Sequence, residues 1–114
     1  MRINFNELLI DARDKEPLVG ERVGKDGSRK WENMSLGYVA GEALSHPFPD
    51  EKIDYKEKLR RGRLIDTICG DGKSYLDGEL DLEEVSLIRT LVGKAYPQLV
   101  IVAVEKLLDP RPNA

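Results

Sequence analysis

The segment Asp81-Leu-Glu-Glu-Val-Ser-Leu-Ile-Arg-Thr-Leu-Val-Gly-Lys-Ala-Tyr-Pro-Gln-Leu-Val-Ile-Val-Ala-Val-Glu-Lys-Leu-Leu108 sets the architecture. Asp81 followed by Glu84 has the form of a capping box with aspartate in the cap role, so a helix is predicted to start there. Val85, Ile88, Leu91, Val92 and Ala95 then recur at helical spacing and mark one buried stripe. Pro97, whose missing N–H costs nothing in a first helical turn, opens a further helix that runs to Leu108. That helix is apolar over residues 99–104 and again at Leu107 and Leu108, too much for a solvated surface. It is expected to be either the central core helix or the interface of a homodimer.

Working outward, residues 50–68 read as another helix. Tyr55, Leu59, Leu64, Ile65 and Ile68 cover a broad arc that would pack against more than one neighbour. Gly70 and Gly72 break it, and residues 75–82 fit either a short strand or a structured loop. Ser35 is suited to cap a helix carrying Leu36, Tyr38, Val39, Ala43 and Leu44, which His46, Pro47 and Pro49 would end. Residues 18–34 read as a hairpin around Lys25-Asp26-Gly27-Ser28, with Val19 and Val23 in one arm and Trp31 in the other. Ile3 and Phe5 share one face of a short N-terminal strand. The expectation is a mainly α fold of about four helices with a small N-terminal β-hairpin. It forms a single domain over residues 1–109, with the extended and hairpin segment at 1–34 and a tail at 110–114.

Composition narrows the function. The chain has 114 residues, a formal net charge of −3, and one each of Cys, His and Trp. With 40% apolar and 34% charged residues it reads as a soluble globular domain. Cys69 alone cannot form an internal disulfide and fits a reducing compartment. No secretion signal is seen in the first residues, and no apolar run approaches the ~20 residues that span a bilayer. A cytoplasmic protein that does not act on a membrane is expected. A single histidine, His46, excludes multi-histidine metal sites and leaves no partner for a nucleophile, so neither catalysis nor a cofactor is expected.

Residues 73–84 align with a twelve-position calcium loop only in its later half, at Asp77, Gly78, Leu80, Asp81 and Glu84. Lys73 and Tyr75 stand where two carboxylates belong, and a glycine turn before a capped helix explains the remainder, so no metal is expected. Cys69 reads as an inert thiol, and the acids of this segment read as solvated. Lys52, Lys56, Arg60 and Arg63 share one face if the helix starts near Asp50, a stripe able to follow phosphates. Asp54 with Lys58 and Glu57 with Arg61 form i,i+4 pairs on that same helix, which favours a solvated face. Residues 52–63 carry six basic side chains, whereas residues 66–84 carry seven acidic ones with Lys73 as their only cation. That order suits either pairing within the chain or docking of one copy's basic face on another's acidic segment.

Ser35-Leu-Gly-Tyr-Val-Ala-Gly-Glu-Ala-Leu44, Glu57-Lys-Leu-Arg-Arg-Gly-Arg-Leu-Ile65, Gly78-Glu-Leu-Asp-Leu-Glu-Glu-Val-Ser-Leu-Ile88 and Val92-Gly-Lys-Ala-Tyr96 resemble a group of small helical proteins encoded by tailed bacteriophages and prophages. The similarity covers residues 17–109 and lies in helix and cap motifs; the stretch at 25–34 is longer than the group's turns. Most members have no assigned activity, so no functional residue is carried over. The resemblance implies a phage-encoded, non-enzymatic protein of the bacterial host cytoplasm that acts by binding, as a particle assembly factor or a host-protein inhibitor. Trp31, Arg60 and Arg63 are the first candidates for its contacts, because Trp and Arg dominate binding hot spots. The competing expectation is a nucleic-acid-binding accessory protein using Lys52, Lys56, Arg60 and Arg63.

Overall fold

A computed structural model describes residues 1–45 and 48–108. Its elements run β1 (Arg2–Asn4), β2 (Val19–Val23), β3 (Arg29–Asn33), α1 (Leu36–Ser45), α2 (Tyr55–Cys69), β4 (Asp77–Glu79), α3 (Leu82–Ala95) and α4 (Gln98–Leu108). His46 and Pro47, expected to end the first helix, and the tail at 110–114 lie outside the described residues.

The caps form where the sequence places them. Ser35 Oγ accepts the Tyr38 N–H at 3.1 Å. Asp81 Oδ1 accepts the Glu84 N–H at 2.8 Å, while Glu84 Oε1 accepts the Asp81 N–H at 3.0 Å, closing the capping box. α2 starts at Tyr55 rather than near Asp50, because the Asp54 side chain accepts the Glu57 N–H and caps the helix there. Asp54 is therefore engaged with the backbone, and Lys52 precedes the helix instead of joining its basic face.

α1 is the central helix and packs on both α2 and α3. Leu36, Val39, Ala40, Ala43 and Leu44 are buried on it, and Gly37 and Gly41 let neighbours approach its backbone closely. α4, apolar nearly all round, is peripheral: Val100, Ala103, Val104 and Leu108 face the core while Val102 remains 43% exposed. The broad arc expected of α2 is also narrower, since only Arg61, Leu64 and Ile68 are buried on it. Tyr55 and Leu59 lie at the surface. Phe5, Leu9, Leu36, Ile68, Ile88, Leu91 and Leu108 form the fully buried centre.

Two small antiparallel sheets complete the fold. β1 pairs with β4, setting Ile3 opposite Gly78, so residues 77–79 resolve as a strand. β2 pairs with β3, setting Glu21 opposite Trp31. At the base of this hairpin Leu9 N–H donates to Met34 O, Met34 N–H to Leu18 O, and Leu18 N–H to Leu9 O, each at 2.8 Å. Nearly half of the described residues are helical and about a fifth lie in strands or bridges, so the fold is mixed rather than clearly mainly α. The additional β content comes from N-terminal residues that pair with segments far along the chain.

Candidate functional site

Trp31 stands on a surface with almost nothing beneath it. Every residue of β3, and every residue of β2 except Gly20, is exposed. Side chains alternate across a strand, so Val19, Glu21, Val23, Arg29, Trp31 and Asn33 share one face, while Gly20, Arg22, Lys30 and Glu32 share the other. Val19 is 52% exposed, Val23 61% and Trp31 72%. The Glu21–Arg29 ion pair at 3.2 Å is the polar part of this face. An isolated two-stranded hairpin is marginal in water, and the junction of Leu9, Leu18 and Met34 anchors this one to the body.

The opposite face overhangs a groove of about 340 Å³ bounded by Arg22, Glu32, Ser35, Tyr38, Cys69 and Tyr75. Arg22 and Glu32 are 3.6 Å apart across its rim. Burial, with Asp66 adding like charge, pushes the Cys69 thiol pKa up, away from a nucleophile's requirement. Burial likewise raises the Tyr38 hydroxyl. The α1 N-terminus that borders the groove offers no free donors there: Leu36 N–H goes to Glu7 O, Gly37 N–H to Phe5 O and Tyr38 N–H to Ser35 Oγ. The sequence gives no warning of this groove, because its walls come from three distant segments.

On α2, Lys56, Arg60 and Arg63 do align and are exposed, beside Leu59, Thr67 and Glu84. Arg60 contacts Glu57 at 3.5 Å, and among the described residues Lys56 and Arg63 make no ion pair. The neighbouring Arg61 turns inward and is only 7% exposed. Its Nη1 and Nη2 reach both Glu51 oxygens at 3.1 and 2.8 Å, and its Nε reaches Glu57 at 3.2 Å. This bidentate pairing holds the Glu51 pKa down to about 2 and ties Glu51, in the segment before α2, to that helix. The Glu57–Arg61 spacing in the sequence signals half of the cluster; Glu51 was hidden by the longer helix expected there.

Trp31 and the basic residues belong to separate surfaces. Ile65 and Cys69 face the hairpin groove about half a turn around α2 from Lys56, Arg60 and Arg63. Among the described residues no ion pair joins the basic residues 52–63 to the acidic residues 66–84. Asp77 pairs instead with Arg2, and Glu79 with the N-terminal ammonium. Asp81 and Glu84 serve the capping box, and Gly78 lies in β4. Among the described residues no three metal-ligating side chains converge, and no helix is long and apolar enough to cross a membrane. No protein-family model, no curated protein and no solved structure matches the chain.

Proposed function

We propose that the protein works by binding another protein through the outer face of the β2–β3 hairpin, with Trp31 as the anchor. On this reading it is a phage- or prophage-encoded, non-enzymatic protein of the bacterial cytoplasm, either assisting particle assembly or inhibiting a host protein. The observation that carries the reading is the joint exposure of Val19, Val23 and Trp31 on one face. A tryptophan so exposed adds little to the free protein's stability, whereas covering it on a partner removes a large apolar area from water. The Glu21–Arg29 pair beside it supplies the polar rim common at such interfaces.

Affinity capture from bacterial lysate with three baits tests this. The wild-type chain and Arg60→Glu/Arg63→Glu should retain the same protein, and Trp31→Ala should lose it. Retention that ignores Trp31 overturns the reading. Alignment of Lys56, Arg60 and Arg63 on one exposed face favours a second reading, an accessory protein that binds nucleic acid. Capture of nucleic acid that falls with rising salt and disappears with Arg60→Glu/Arg63→Glu would support that reading instead.

A further inference from the structure

The outer edge of β3 is unpaired among the described residues. The Met34 N–H on Leu18 O and the Gly24 N–H on Ser28 O set the phase of the β2–β3 ladder. In that phase Gly20 with Glu32 and Arg22 with Lys30 are the hydrogen-bonded pairs. The N–H and C=O groups of Arg29, Trp31 and Asn33 therefore point away from β2, and among the described residues they meet no partner. The corresponding edge of β2 is less open, because Glu21 and Val23 border the groove lined by Gly41, Glu42 and Ser45 of α1.

The geometry points to a second copy of this chain as the occupant of the β3 edge, added antiparallel about a two-fold axis at Trp31. In that register Trp31 faces its own equivalent as a hydrogen-bonded pair, and Arg29 faces Asn33 of the other copy. Lys30 faces Glu32 of the other copy, twice per dimer. Within one chain Lys30 lies directly opposite Arg22, which takes Glu32 at 3.6 Å, and among the described residues Lys30 makes no ion pair; the second copy's Glu32, shared with its own Arg22, gives Lys30 an acidic neighbour. The same operation on β2 would set Glu21 against Glu21, so charge selects β3 over β2. The product is a four-stranded sheet, β2–β3–β3–β2, with two copies of the Val19, Val23 and Trp31 face joined on one side. Its bodies lie at opposite ends, because the hairpin tip of each copy lies beside the hairpin base of the other. The buried area is that of one strand edge, so the association is weak and concentration-dependent.

The dimer extends the proposed function by doubling the apolar face offered to a partner, and it rests on the same hairpin. Its test is independent of partner capture, because Trp31 is left intact. Sedimentation equilibrium from micromolar to millimolar concentration should show the wild-type chain passing from monomer to dimer. Lys30→Glu sets Glu against Glu32 and Glu32→Lys sets Lys against Lys30, so each should weaken self-association about tenfold or more. An equimolar mixture of the two variants should recover it, since both cross-strand pairs are then opposite in charge. Arg29→Pro, which removes an outward N–H and none from the β2–β3 ladder, should also leave a monomer. A wild-type chain that stays monomeric at millimolar concentration overturns the proposal. So does a dimer indifferent to these changes, or a mixture that fails to recover.

Discussion

Replacing Gly37 with alanine reverses the usual effect of that change in a helix. Gly62 in α2 and Gly93 in α3 have nothing within 4 Å of an added Cβ. Alanine at either should stabilise by about 0.5–1 kcal/mol, through the conformational freedom that glycine retains in the unfolded chain. At Gly37 the added Cβ would lie 2.3 Å from Cγ, 2.4 Å from Cδ1 and 2.8 Å from Cβ of Tyr75. Ordinary carbon contacts are about 3.5–4 Å, so the ring must withdraw by roughly 1 Å. It has little freedom to do so. Tyr75 N–H donates to Asn6 Oδ1 and Asn6 Nδ2 donates to Tyr75 O, both at 2.8 Å, which fixes the backbone beneath the ring. Overpacking of this kind costs about 1–3 kcal/mol, and the propensity gain offsets only part of it. A net loss of about 0.5–2 kcal/mol is expected. Urea unfolding followed by far-ultraviolet circular dichroism measures it against the Gly62→Ala and Gly93→Ala variants. In a Tyr75→Ala background the clashes with Cγ and Cδ1 are gone and only the 2.8 Å approach to Cβ remains, so most of the penalty should disappear and the double-mutant cycle should show a clear coupling. Stabilisation by Gly37→Ala equal to that at Gly62, or no coupling with Tyr75, would refute the reasoning.

Trp31→Ser should change stability by less than about 0.5 kcal/mol while abolishing partner capture. In the free monomer Trp31 emission should be water-like and strongly quenched by acrylamide, and shielding from the quencher would contradict the exposed hairpin. Asp81→Ala removes a cap and one arm of the capping box, so a loss of about 1 kcal/mol in urea unfolding is expected. Glu51, at about 2 when folded against an ordinary 4.5, is held down first by the Arg61 guanidinium and then by the Phe48 N–H. Its depressed folded pKa gives stability that is fully present above pH 4.5 and lost as pH falls towards 2. Arg61→Met should remove that part of the acid dependence, and urea midpoints measured through this window would be expected to fall less steeply than in the wild type.

Helices were legible because their signals are local. Asp81 with Glu84, Ser35, and the stripe of Val85, Ile88, Leu91 and Val92 each act within one or two turns and appear where expected, whereas Ala95, predicted to continue the stripe, is exposed at the helix end. The start of α2 was misplaced because Asp50 and Asp54 are both good caps in sequence, and only Asp54 accepts a helical N–H. The role of α4 was ambiguous because its apolar residues outnumber what one face requires; the small residues of α1 decide which helix takes the centre. The hairpin itself was readable from its turn, but not the emptiness under it, since alternation locates faces without saying what covers them. The hairpin groove and the Glu51–Arg61 contact depend on chain segments brought together only by folding. Trp31 and Arg60 looked equivalent as anchors in sequence. One proves to be isolated and apolar and the other is partly neutralised by Glu57.

The junction of Leu9, Leu18 and Met34 makes the hairpin an adjustable arm. Beyond those three backbone bonds none of its residues belongs to the buried core. Two residues added to each strand would preserve which side chains face outward and extend the tip by about 7 Å. Odd insertions would instead turn Trp31 towards the groove. Reach can therefore vary in quantised steps while the helical body, and the sequence that specifies it, stays the same.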